Sequence, residues 1–226
     1  MQHLHIVITA EGRRDADHGE RNPFTTVCGD VCKPCNTGWM HELEESCKGV
    51  LGKLIQGGSR NLGYWRQALA ATWAAKTAMV WESVSPKDRT IPLEVLHTFH
   101  RTQRLSLRQQ VWTGRYVGNQ PDHSFRRTAA HVIGAVKGAS ENPQDAHAYA
   151  VALSVGQLAF VVFGHLLSVP IQLTVPEEGS KLVPIWPPER EVVAWPPSDA
   201  LDDAAITNVL TSLGLPIPGT EGEPLP

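Results

Sequence analysis

The sequence predicts an α+β protein, with a knuckle-and-helix element at the N-terminal side, a helical middle and an antiparallel sheet in the second half. Three observations lead there. Apolar residues recur at helical steps in three consecutive stretches before residue 110. From Val111 the texture changes to short alternating or β-rich runs. All four cysteines (Cys28, Cys32, Cys35 and Cys47) fall within twenty residues, and the 179 residues after Cys47 contain none. Such clustering suits a metal site better than bridges spread through a small secreted chain.

The first helix is expected in GWMHELEESCKGVLGKLIQGG, where Met40, Leu43, Cys47, Val50, Leu51, Leu54 and Ile55 repeat at helical steps before Gly57-Gly58 ends the run. Cys47 falls inside that stripe and reads first as a small buried hydrophobe. The second helix is LGYWRQALAATWAAKTAMVWESV, with Trp65, Leu69, Trp73 and Val80 on one face and Pro86 just beyond its end. Lys76 shares that face, its stem packed on apolar surface and its ammonium reaching water. The third stretch, PLEVLHTFHRTQRLSLRQQ, starts at Pro92, a favoured first-turn residue, and carries Leu93, Leu96, Phe99 and Leu107.

The sheet is expected from VWTGRYV, SFRRTAAHVIGAV, AYAVALSV, LAFVVFGHLL and IQLTV. Residues 148–169 are long enough to suggest a membrane span. Gln157 and His165 interrupt them, however, and no Lys or Arg flanks them closely, so two buried strands meeting near Gly156 is the preferred reading. Eleven of the 17 prolines lie from Pro170 onward; in IWPPER and AWPPSD they predict extended segments over the surface, anchored by Trp186 and Trp195. LDDAAITNVLTSLG is a short helix capped by Ser198 or Asp199, and PIPGTEGEPLP a disordered tail. The expected divisions are 1–60 (knuckle and helix), 61–110 (helical), 111–215 (mainly β) and 216–226 (tail).

At 226 residues and 42% hydrophobic content, the chain can build a core without disulfides. Its net charge of −3 supplies no global field toward nucleic acid, so any such contact must come from a local patch. One exists between His97 and His131, where Arg101, Arg104, Arg108, Arg115, Arg126 and Arg127 stand against Asp122 alone, with Trp112, Tyr116 and Phe125 interleaved. Arg66 extends it. A solvated face accounts for the same charges equally well. The opening MQHLHIVITAEG has neither a basic n-region nor a long apolar h-region, so the expected location is the cytoplasm, with no membrane partner.

The chemistry concentrates in VCGDVCKPCNTGWM. Cys32-x2-Cys35 is a knuckle whose thiolates can hold a structural Zn2+, and Cys28, four residues earlier, is close enough to join them. The fourth donor stays open among His18, His41, Cys47, His3 and His5. Asn36, directly after the knuckle, suits a turn or cap at the junction with the helix. Asp17-His18, eighteen positions before Asn36, is either part of a solvated loop or a pair in which His18 acts as general base toward a metal-bound water.

VCKPCNTGWMHELE, WAAKTAMV, VWTGRYVG, FGHL, IWPP and AWPPSDALDD, in that order from residue 31 onward, resemble a family of HNH-related proteins common in actinobacteria and their phages. In HNH endonucleases a ββα-like hairpin and helix grip one divalent cation, a hairpin histidine activates water, and an asparagine after the second knuckle positions the hairpin. The resemblance implies that Asn36 takes the positioning role, that DNA is the partner, and that Mg2+ or another divalent cation supports phosphodiester hydrolysis. The family's usual upstream CxxC and Glu-His pair are absent from this sequence, which leaves Asp17 and His18 to stand in for them. Two readings follow: an HNH-like, zinc-supported nucleic-acid-binding protein, or a non-catalytic zinc knuckle for DNA or protein. A small-molecule enzyme has no motif behind it, since P-loop, GxGxxG and GxSxG patterns are all missing.

Overall fold

The computed structural model describes residues 4–9, 12–17, 31–84, 90–118, 123–131, 147–166 and 181–212. In chain order they form β1 (Leu4–Thr9), β2 (Gly12–Asp17), α1 (Lys33–Thr37), α2 (Trp39–Ile55), β3 (Arg60–Gly63), α3 (Tyr64–Val84), α4 (Leu93–Thr102), β4 (Gln109–Tyr116), β5 (His123–His131), β6 (His147–Val155), β7 (Leu158–His165), β8 (Val183–Trp186), β9 (Val192–Trp195), β10 (Ala200–Leu201) and α5 (Asp203–Ser212). The expected IQLTV strand and the C-terminal tail lie outside the described residues. The α+β class holds: α1–α4 precede the strands of the main sheet, the β1–β2 hairpin comes ahead of them and α5 closes the described residues.

The main sheet runs β10-β4-β7-β6-β5, antiparallel apart from the parallel β10–β4 pair, and β8 adds to β4 beside β10. β6 and β7 are the two buried strands expected from residues 148–169. They pair from Ala148↔His165 to Val155↔Leu158, and Gly156 turns the loop with φ +54, a conformation that glycine adopts without strain. The membrane-like texture has a packing cause. Tyr149, Val151 and Leu153 face one core with the helices α2 and α3, whereas Ala148, Ala150 and Ala152 face a second core with Ile206, Val209 and Leu210 of α5. A strand covered on both faces shows no polar alternation. Among the described residues no helix is long and apolar enough to cross a membrane.

α2 follows its expected stripe, burying Cys47, Val50, Leu51 and Leu54. Its end is fixed to the sheet: Gln157 N donates to Ile55 O at 2.9 Å, and Gly57, at φ +74, lies against the Gln157 side chain. α3 departs from expectation. It buries Ala70, Ala71, Ala74, Ala75, Ala78 and Met79, whereas Trp65 is 61% exposed and Trp73 only packs against the core from its side. Apolar residues surround this helix, so periodicity cannot select a face, and the alanine side wins because small side chains let α3 lie close to the sheet. Lys76 is also more buried than expected: its Nζ lies 2.5 Å from Glu44 Oε1 and 5.8 Å from the Trp73 ring centroid instead of reaching water freely.

The third helical stretch stops at Thr102, where Gln103 takes a left-handed conformation (φ 54, ψ 25), and Gln109 and Gln110 already belong to β4. Leu93 and Leu107 are exposed, whereas Phe99 and Leu105 are buried and Leu96 packs against the core as expected, with Val95 beside it. Trp186 and Trp195 do act as anchors, yet each ends a short strand instead of a polyproline strap: β8 pairs with β4, and β9 pairs with β3. Trp195 is buried, and Trp186 donates its indole N–H to Ser106 O at 3.2 Å. The cap of α5 is Asp202, whose Oδ1 accepts from Ala205 N at 2.7 Å; Ser198 and Asp199 bond each other.

Candidate metal centre

Local sequence builds the knuckle. Cys32 takes the extended N-cap conformation (φ −66, ψ 147), Pro34 occupies the first turn of α1, and Asn36 N closes the turn on Cys32 O at 3.0 Å. Gly38 then redirects the chain into α2. A Cβ there would stand 2.6 Å from Pro34 O, so the step from α1 to α2 requires glycine. These constraints place Cys32 and Cys35 side by side, with Sγ–Sγ 2.8 Å and Cys35 N 3.4 Å from Cys32 Sγ.

Packing adds a third group. Trp39, at the start of α2, meets Phe99 of α4 edge-on, with ring centroids 6.0 Å apart and planes at 64°. The next residue, His100, places Nε2 3.1 Å from Cys35 Sγ. Cys32, Cys35 and His100 stand at the edge of a cavity of about 460 Å³ walled by Met79, Val80, Leu96 and Phe99 and reached also by His97. His100 was not among the sequence-level candidates. Its only local trace is the His97-x2-His100 spacing just before the arginine run.

The thiols are electrostatically unequal. The hydrogen bond with Cys35 pulls Cys32 below the usual thiol range, and the same bond, followed by burial and the Cys32 charge, pushes Cys35 up. The Trp39 indole N–H acts the other way on Cys35, favouring its thiolate. That nitrogen is buried and makes no hydrogen bond of regular geometry, so a charged sulfur is the acceptor that the local arrangement offers it.

Donor types fit zinc: two sulfurs and one imidazole nitrogen are soft-to-borderline ligands. Across a tetrahedral zinc, Sγ–Sγ and Sγ–N separations would be about 3.7 and 3.5 Å. The present 2.8 and 3.1 Å are shorter, and among the described residues no group of three His, Cys, Asp or Glu side chains stands ready-made around an ion. Rotation of exposed side chains would open the set without moving the backbone.

The remaining candidates separate. Cys47 is 1% exposed in the α2–α3 core, its thiol pushed up to about 12 by burial, so it is a packing residue and not a metal donor. His41 lies exposed on α2, and Asn36 is exposed on α1. Asp17 closes β2 opposite Leu4, with β1 beside β5. Cys28, His18 and His3 lie outside the described residues, and of His5 only its place in β1 is described.

Arg101, which follows His100 directly in the last turn of α4, and Arg104 and Arg108 beyond the helix are exposed. Arg115 points instead to Gln157, donating from Nε at 3.3 Å. Arg126 and Arg127 belong to β5, which β6 and β7 separate from β4. Compared with known proteins, the chain matches no family model, no curated protein and no solved structure.

Proposed function

We propose that this chain is a zinc-supported nucleic-acid-binding protein with an HNH-like knuckle, in which Cys32 and Cys35 hold the metal with Cys28 beside them, and Arg101, Arg104 and Arg108 meet phosphates. The observation that carries the reading is the 3.1 Å approach of Cys35 and His100. It joins the two features that the sequence keeps 65 residues apart, the cysteine pair and the start of the arginine run. Three exposed arginines in the segment that follows His100 suit contacts with a DNA backbone, with affinity that falls as salt rises. Free thiols of this kind suit the reducing cytoplasm.

In the hydrolytic form of the reading, His18 serves as general base with Asp17 beside it, Asn36 positions the hairpin, and Mg2+ or a related cation neutralises the phosphate. In the non-catalytic form the same knuckle binds DNA without cutting. Fluorescence anisotropy with a labelled duplex tests binding: the Arg101→Ala/Arg104→Ala/Arg108→Ala protein should bind more weakly, its salt slope smaller by about 3. No salt-dependent binding by the wild-type chain would sink the nucleic-acid reading. Plasmid incubated with Mg2+, Mn2+ or Ni2+, beside a His18→Ala control, separates the two forms, since absence of cutting with every metal leaves only the binding module.

A further inference from the structure

We propose that His100 is itself a metal ligand, its Nε2 joining the Cys32 and Cys35 thiolates so that one ion ties α1 to the C-terminal end of α4. This inference rests on the zinc reading above and adds a donor that a knuckle motif does not contain.

Four observations converge on it. The nitrogen that approaches Cys35 is Nε2, at 3.1 Å, which leaves Nδ1 for a second-shell partner, as ligating imidazoles commonly require. Cys32 and His100 are both exposed, so an ion can enter without displacing the core. Trp39 and Phe99 meet edge-on at 6.0 Å, fixing the residue beside His100 against the residue that begins the helix after the knuckle. The backbones that carry the donors are therefore held together by the core, and only side-chain rotation is needed to open the set around an ion. Finally, the buried Trp39 indole N–H lies beside Cys35, where a metal-bound thiolate would accept it.

The consequence concerns the arginines. Arg101 follows His100 in sequence, with Arg104 and Arg108 in the segment that leads into β4. An ion held by Cys32, Cys35 and His100 would brace the end of α4 and hold those arginines against the knuckle, so that metal occupancy and DNA affinity rise and fall together. The fourth coordination position is left to solvent.

The test uses the full chain, stripped of metal under reducing conditions and titrated with Zn2+ against a chromogenic chelator, and separately with Co2+ as a spectroscopic probe. Wild type is expected to take up one equivalent and to give thiolate-to-cobalt charge transfer with tetrahedral d–d absorption. His100→Ala should weaken binding about 100-fold or more and alter the d–d bands. His100→Cys should restore affinity and add charge-transfer intensity, because it returns a soft donor to the same place. If wild type binds metal and His100→Ala matches it in affinity and cobalt spectrum, His100 only hydrogen-bonds Cys35, and this inference is overturned while the zinc knuckle stands. If wild type takes up neither ion, the zinc reading itself falls, and the inference falls with it. His100 is exposed, so loss of folding is not expected to obscure the comparison.

Discussion

The carbonyl oxygen of Ile55 would lie 2.6 Å from a Cβ placed on Gly156, and the Ile55 Cγ2 would lie 2.8 Å from it. The end of α2 thus rests directly on the β6–β7 loop, at a position that also has φ +54. Gly156→Ala combines left-handed strain with overpacking and is expected to cost about 3 kcal/mol. Urea unfolding should show a lowered midpoint with an unchanged slope; an unmoved midpoint would show that α2 yields at this contact.

Lys76 and Glu44 give a second expectation. The Lys76 side chain is 7% exposed and that of Glu44 51%, so the pair joins a buried ammonium to a half-solvated carboxylate. Glu44→Ala strands the ammonium and should cost about 2 kcal/mol, less than a fully buried pair because water reaches Glu44. Lys76→Met keeps the stem and removes the charge, at a cost below about 1 kcal/mol. In the double variant the Glu44→Ala penalty should largely vanish; if thermal unfolding shows simple addition, the pair is not coupled.

Cysteine accessibility offers a third. With its thiol pushed up to about 12 by burial, Cys47 should resist iodoacetamide in the folded protein and react only on denaturation. In the metal-free protein Cys32, exposed and with its thiol lowered by the Cys35 hydrogen bond, should alkylate ahead of Cys47. Peptide mass analysis over a time course distinguishes the two, and early labelling of Cys47 would mean that α2 opens from α3 under native conditions.

His165 supplies a pH dependence. Burial, aided by the nearby Arg108 charge, lowers its proton affinity in the folded protein. The unfolded chain takes up this proton near pH 6.5 while the folded chain does so only under more acidic conditions. Between those points the unfolded state binds more protons, so this contribution is fully present above about pH 6.5 and is lost as pH falls through it. The fall in thermal midpoint from about pH 7 to about pH 5 should be smaller for His165→Gln than for wild type, and equal slopes would remove His165 as the cause.

Legibility in the sequence followed the range of the interactions. α2 and the β6–β7 hairpin are readable because their signals are local: a helical stripe closed by Gly57-Gly58, and two apolar runs separated by Gly156 and Gln157. The buried face of α3 is not, because Trp65 and Trp73 offer far more apolar area than Ala70 and Ala74, whereas close packing against a sheet rewards the smaller side chains. The Cys32–Cys35 pair is legible as a motif. His100 is not, since its meeting with Cys35 depends on Trp39 finding Phe99, a contact between helices that no local spacing encodes.

The pairing of β3 with β9 has a consequence for biosynthesis. Leu62, wholly buried, lies opposite Val193 in that ladder, 131 positions further along the chain. The helical half emerges from the ribosome long before β9, and β3 stays without this partner until Val192–Trp195 have been added. Such long-range closure slows folding and leaves an unpaired edge exposed during synthesis.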